Sequence, residues 1–290
     1  MAEAARHTGD GIIGGRTQPS IIEGIRAGDM EVRLARTEAE IVSAQKLRYR
    51  IFYEELSARP TPEMARTRRD FDRFDEYCDH LLVLDHGGGE AQVVGTYRLL
   101  RRSAAERNSG FYTATEFDIS PLSAVRGEIM ELGRACTDVT HRRNRATMQL
   151  LWRGIGSYAI HHDIKIMFGC GSLPGTDPQA NARPLSYLYY NHLAPEHLRA
   201  RALPGRHVRM DLLPPREVEV EVAVAELEAR ATLSALPPLI KGYLRMGGYI
   251  GDGAVIDPEF QTTDVCIIVV TDQLTEKYFN QYFRAGDIGA

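Results

Sequence analysis

Glu128-Ile129-Met130-Glu131-Leu132-Gly133-Arg134-Ala135-Cys136-Thr137 is followed by the basic loop His141-Arg142-Arg143-Asn144-Arg145, then by Met148, Leu151, Trp152, Ile155 and Ala159. The fold turns on this stretch. Its first part reads as a strand, and its last, apolar at helical spacing, as an amphipathic helix. An apolar strand over 164–168 comes next. Upstream, strands over 80–85 and 92–101 flank the turn Gly87-Gly88-Gly89. Earlier still, Thr37-Glu38-Ala39-Glu40 forms a capping box, in which the Thr hydroxyl and the Glu carboxylate satisfy free backbone N–H groups. Behind it Ile41, Ala44, Arg48, Ile51 and Phe52 carry a helix to about residue 56. Downstream, helices are expected over 184–193, with Tyr187, Tyr189 and Tyr190, and over 217–235; residues 265–270 read as a buried strand. Helices laid on a mixed sheet make this an α+β chain.

At 290 residues the chain suits one large domain, or one domain with an extension. It is 43% hydrophobic and 26% charged with net charge −4, which excludes disorder and gives no global attraction to nucleic acid. No apolar run approaches the roughly 20 residues of a spanning helix, and the first 20 residues lack a secretory pattern, so a cytoplasmic protein is expected. Cys78, Cys136, Cys170 and Cys266 are too scattered for a metal or redox motif, and His161-His162 lacks an H-E-x-x-H context. Neither metal nor cofactor is expected.

Three groups read as chemical. Arg48 lies on the apolar stripe of the first helix, where a guanidinium needs a carboxylate, and Asp72 or Asp75 is the expected partner. The surrounding acidic run, Asp70 to Asp79, reads otherwise as a solvated loop. Glu131 and Arg134 would face opposite sides of a regular strand, and a bulge at Gly133 would bring them to one face. A Glu inside an apolar strand is costly as the anion, which suits a general base; an edge-strand salt bridge is the other reading. The three arginines of the 141–147 loop precede a helix N-terminus and suit an anion, or are a solvated basic turn.

Arg142-x-x-Arg145-x-Thr147 resembles the segment with which GNAT enzymes hold the pyrophosphate or phosphopantetheine of an acyl donor. It carries Arg where Gly is usual, as in the branch that uses acyl-carrier protein. Arg48-x-x-x-Phe52, Asp72-x-x-Asp75, Arg98 and Glu131-x-x-Arg134 resemble, in order, the motifs of acyl-homoserine lactone synthases. A Trp found in those enzymes after the first motif is missing, with Ala58 in that region, so a lactone synthase proper is not implied. Leu47 to Phe52, Phe74 to Val83, Val94 to Leu99, Glu131 to Arg134, Leu151 to Ile155, Phe168 to Cys170 and a segment from Leu236 to Asp264 resemble the ornithine-acyl-carrier-protein N-acyltransferases, which begin ornithine lipid synthesis.

That resemblance implies a GNAT-like, largely antiparallel mixed sheet flanked by helices. The Gly-rich, polar, irregular start reads as a flexible N-terminal arm over 1–30, ahead of an acyltransferase core over 31–215 and a C-terminal extension over 216–290 completing the domain. The amine would attack a thioester directly, with Glu131 as base and backbone N–H groups of 134–137 receiving the oxyanion. Arg134 completes the catalytic set with Tyr187, or its neighbours Tyr189 and Tyr190, as proton donor to the leaving thiolate. Arg48, Phe52, Asp72, Asp75 and Arg98 would form the amino-acid pocket, its acidic groups suiting ornithine's cationic side chain and Arg98 or Arg134 its carboxylate. Arg142, Arg143, Arg145 and Thr147 would bind the donor. Acyl-carrier protein and ornithine are the implied partners, with peripheral contact at the cytoplasmic face of the inner membrane through the lipid product. Acylation of lysine or glycine, lactone synthesis, and a non-catalytic carrier-binding module are the alternatives.

Overall fold

The computed structural model describes residues 24–142, 144–215 and 236–274. The helix expected over 217–235, Arg143 and most of the expected arm lie outside them, as does the side chain of Arg145. The sheet begins inside the stretch expected as an arm: β1 (Ile25–Ala27) and β2 (Met30–Leu34) form a hairpin ahead of the first helix. Met30 and Val32 alternate with the buried pair Glu31 and Arg33, 3.7 Å apart, and that charge pair disguises the strand.

α1 (Glu38–Tyr49) starts at the expected capping box: the Glu40 N–H donates to Thr37 Oγ1 at 3.3 Å, and the Glu40 carboxylate accepts from the Arg36 N–H at 2.7 Å. The expected single helix changes type at Arg50, where a π-helical segment (Arg50–Glu55) ends with the Leu56 N–H on the Ile51 carbonyl. Such widened turns gather at functional sites. α2 (Pro62–Thr67) precedes the hairpin β3 (Asp79–Asp85) and β4 (Gln92–Arg101). Then come α3 (Arg102–Ala105), β5 (Phe117–Asp118), α4 (Ser120–Ser123), β6 (Glu128–Thr137), α5 (Arg145–His161), β7 (Ile164–Pro174) and α6 (Ala182–His192). Short strands β8 (Arg201–Ala202) and β9 (His207–Val208) lead to α7 (Pro238–Arg245), β10 (Tyr249–Asp257) and β11 (Thr262–Val270).

All the described strands join one sheet in the order β1-β2-β3-β4-β6-β7-β11-β10-β8-β5, with β9 beside β10. Neighbours are antiparallel except β6 with β7 and β8 with β10. β3 shows how the sheet is covered. Leu81 and Val83 pack with Leu151, Ile155 and Tyr158 of α5, whereas Leu82 and Leu84 pack with Ala44 of α1. Period-two alternation thus sends the two helices to opposite faces. The C-terminal strands are integral, since β11 runs alongside β7 from Thr262↔Pro174 to Val270↔Ile166. Among the described residues no helix is long and apolar enough to cross a membrane.

Candidate active site

β6 and β7 pair in parallel only from Glu128↔Ile164 to Glu131↔Phe168. Beyond that point β6 stays with β4, as far as Thr137↔Gly95, and β7 stays with β11. At the point of parting Gly169 is obligatory, because a Cβ there would lie 2.3 Å from the Leu132 carbonyl oxygen. A cavity of about 520 Å³ fills the divergence, walled by residues 131–135 of β6 and by residues of β7, α7 and the β10–β11 hairpin.

β6 bulges as expected, but one residue later. Thr96 and Arg98 of β4 face Cys136 and Gly133, so three steps on β6 match two on β4. Arg134 carries the positive φ, 53°, while Gly133 does not. A left-handed conformation costs an Arg more than a Gly, and such strain persists where surroundings over-determine it. Here they do. The guanidinium lies 4.6 Å from the centre of the Phe260 ring and 5.1 Å from that of Tyr112, and donates to Asp72 at 3.0 Å.

Arg48 is fully buried, as its position on the stripe demanded. Its Nε donates to Asp70 Oδ2 at 2.6 Å and Nη2 to Asp75 Oδ1 at 2.7 Å. Of the two expected partners Asp75 is correct; Asp72 instead bridges Arg98, at 2.6 Å, and Arg134. Asp70 takes the vacated role and also lies 3.5 Å from Arg134. Burial alone would raise the Asp75 carboxyl, but Arg48 and Arg98 hold it down at about 2. Three arginines therefore neutralise three aspartates, and no acidic group of this network is left to meet a substrate cation. Phe52 meets Phe260 edge to face, 5.6 Å between centres, and both line the cavity.

Glu131 lines the cavity yet is itself buried. Burial pushes its carboxyl up, against three hydrogen bonds received from the Tyr112 N–H, the Thr113 N–H and the Thr113 hydroxyl. From Thr113 a polar chain continues, 3.8 Å to Cys170 Sγ and 3.3 Å onward to Glu116. Ligand atoms of Glu116, Cys170 and Asp264 lie within 4.8 Å of one another. Burial pushes the Glu116 carboxyl up to about 7 and that of Asp264 up to about 6.

The remaining expected residues lie elsewhere. Tyr187 packs against the main core beside His192, 5.4 Å between ring centres, and is not part of the cavity wall, nor are Tyr189 and Tyr190. The tyrosines of the wall are Tyr97, Tyr112 and Tyr243; the hydroxyls of Tyr97 and Tyr243 are 3.4 Å apart. α5 does begin after the basic loop, its first turn capped by Asn144, which accepts from the Ala146 N–H at 3.0 Å. Arg142 is paired with Glu55, and Thr147 is buried with its hydroxyl 4.0 Å from the Met30 sulfur. Neither borders the cavity.

Residues 47–153 match the family model described as an acetyltransferase (GNAT) domain. Against the L-ornithine N(alpha)-acyltransferase of Rhizobium meliloti (strain 1021), the chain is 47% identical over 262 residues, 89% of this chain and 85% of that protein. The enzymes of that name from Brucella abortus (strain 2308), 45% identical, and Rhodobacter capsulatus, 42%, cover 90% and 95% of their own lengths. The chain belongs to the L-ornithine N(alpha)-acyltransferase family. A solved N-acyl amino acid synthase from uncultured soil microbes is 10% identical and aligns with a TM-score of 0.46, over 87% of this chain and 94% of that one.

Within this GNAT acyltransferase, sequence reasoning passed over Tyr112, Thr113, Glu116, Cys170 and Asp264 as site residues. Asp264 carried the one usable signal, a carboxylate directly ahead of the buried run 265–270.

Proposed function

We propose that this chain transfers a (3-hydroxy)fatty acyl group from acyl-carrier protein to the α-amine of L-ornithine, the first step of ornithine lipid synthesis. The observation that carries the reading is 42–47% identity to four L-ornithine N(alpha)-acyltransferases over nearly all of their length. The position of Glu131, where β6 and β7 part, supports it.

The attacking amine must be neutral. Glu131, directly or through water, accepts its proton; a carboxyl raised by burial is a better base near neutral pH than an ordinary one. The amine nitrogen then bonds to the thioester carbon, and backbone N–H groups of β6 beyond the bulge receive the developing oxyanion. As the C–S bond breaks, the phosphopantetheine thiolate takes a proton. With Tyr187 away from the cavity, that donor is assigned to Tyr97 or Tyr243, whose phenols burial keeps protonated. Arg134, the arginine of the ion-pair network with cavity-facing aromatic supports, holds the substrate carboxylate with the N–H groups that Asp72 leaves free. No metal or cofactor is called on. The enzyme would work in the cytoplasm and meet the membrane through its lipid product.

Purified protein given a long-chain 3-hydroxyacyl-carrier protein and ornithine should release carrier thiol and form an amide on the α-amine. Equal rates with lysine, glycine and ornithine would remove the ornithine assignment and leave acyl transfer standing. The acidic carrier would dock on the basic loop, where Arg142 is already paired and the weight falls on Arg143 and Arg145. Charges of this kind act on association and are screened over about 8 Å at physiological salt. Arg143→Glu should raise KM for acyl-carrier protein, and added salt should do the same to the parent. A KM that responds to neither places docking elsewhere.

A further inference from the structure

The cavity has a second charged region that the acyl-transfer chemistry above leaves unused. Asp264 on β11 stands opposite Ser172 on β7 and is 4% exposed. Its Oδ1 and the buried Oγ1 of Thr262, two residues away on the same face of β11, make no hydrogen bond of good geometry; the Thr262 and Ser172 hydroxyls stand beside the carboxylate and only partly offset its burial. Both residues, with Ser172 and Cys170, line the cavity. Glu116 lies within reach behind them, 3.3 Å from Cys170 Sγ. Positive charge here is scarce. Arg206 approaches Glu116 Oε1 at 3.6 Å, half in solvent, and Arg134 is already engaged by Asp70 and Asp72. A buried carboxylate oxygen without a donor is costly to maintain unless a ligand supplies one.

We infer that Asp264, backed by Glu116, recognises the terminal ammonium of the amino-acid substrate's side chain and so selects a basic amino acid over a neutral one. The assignment rests on the acyltransferase reading above and extends it to residues that set specificity. An ammonium carries three N–H donors on a compact charge, and the site offers acceptors to match: Asp264 Oδ1, the Thr262 or Ser172 hydroxyl and a Glu116 oxygen. A substrate spanning the cavity would then place its carboxylate toward Arg134 and its side-chain cation toward Asp264, with the α-amine between them and Glu131. Without the cation the two acids hold protons to higher pH than usual, because burial disfavours their charged forms. The neutral Cys170 thiol, which burial also pushes far up, favours an ammonium over a thiolate-bound metal.

The test compares kcat/KM for ornithine and for norvaline, which has the same carbon chain and no terminal amine. The parent should prefer ornithine by at least about 10²-fold, since a site built for an N–H donor rejects an analogue without one. Asp264→Asn should collapse that preference about tenfold or more, chiefly through KM for ornithine. Glu116→Gln should lower it less, and it serves if the first variant does not fold. A preference in both variants equal to the parent's, or a parent that acylates norvaline as well as ornithine, overturns the assignment while acyl transfer itself stands. A parent that acylates neither removes the acyltransferase reading and this one with it. Activity abolished by a chelator and restored by a divalent cation would give the cluster to a metal and also overturn it.

Discussion

Two buried charged regions border the cavity, and they are balanced differently. In the first, Arg48, Arg98 and Arg134 meet Asp70, Asp72 and Asp75 at 2.6–3.5 Å, and the charges cancel in pairs. In the second, Glu116 meets the part-exposed Arg206 at 3.6 Å, Asp264 has no ion pair among the described residues, and its Oδ1 makes no hydrogen bond of good geometry. Both lie in low dielectric, so the contrast shows in the protons: Asp75 is held at about 2, whereas Asp264 rises to about 6 and Glu116 to about 7. The charge-balanced network is mainly scaffolding, although Arg48 Nη1 and Arg134 Nε keep N–H groups without a hydrogen-bond partner. It ties α1, the 70–75 segment, β4 and β6 together, so removing a member strands a buried charge. An unsaturated one has capacity left for a ligand, and its substitution should be read in substrate selection.

Glu131 belongs to neither region but is joined to the second through Thr113 and Cys170. Its substitution should give the largest effect on rate. Glu131→Gln is expected to lower kcat about 10²- to 10⁴-fold, the usual loss with a general base. Far-ultraviolet circular dichroism should show the fold retained. Near-parental turnover at pH 7 would make Glu131 only an anchor for the Tyr112–Thr113 backbone.

Arg48→Ala sharpens the comparison from the saturated side. Two buried aspartates lose their main cation, a cost of about 3–5 kcal/mol read as a lower midpoint in thermal unfolding. An unchanged midpoint would mean the network is not dry, and the distinction between the two regions would fall.

A smaller effect comes from pH. Glu116 has its folded pKa raised to about 7, above the ordinary carboxylate value near 4. Between these values the folded state binds the extra proton, so the group's contribution to stability is present at low pH and is lost as pH rises through about 7. Buried His80 and the half-buried His162 and His192, held below their usual value, act in the opposite sense only below about 6.5. From pH 6.5 to 8 the ligand-free parent should therefore lose roughly 1 kcal/mol that Glu116→Gln retains, measured by denaturant titration. Parallel pH profiles for the two proteins would show Glu116 to be an ordinary acid, and the two regions alike.

Much of this protein was legible from spacing alone. A cation recurring at helical period on an apolar stripe had to be buried and paired, and Arg48 is. The glycine inside a Glu-x-x-Arg strand announced a bulge, and the strand, basic loop and helix that follow fixed the heart of the α+β order. Local periodicity carries such information because it decides which face of a helix or strand a residue occupies before any partner is chosen. Spacing could not name the partners. Asp70 displaced Asp72 beside Arg48, since which carboxylate reaches the guanidinium depends on how the 70–75 segment crosses α1. Arg134 rather than Gly133 took the positive φ, since Asp72, Tyr112 and Phe260 hold its side chain from three other segments. Tyr187 was one of three tyrosines on a short helix that packs on the core away from the cavity, and no local pattern marks that. Asp264 and Glu116 are far apart in the chain and meet only because β11 closes on β7. Charge balance in a cavity is a sum over everything that tertiary structure brings within a few ångströms, and no local pattern encodes that sum.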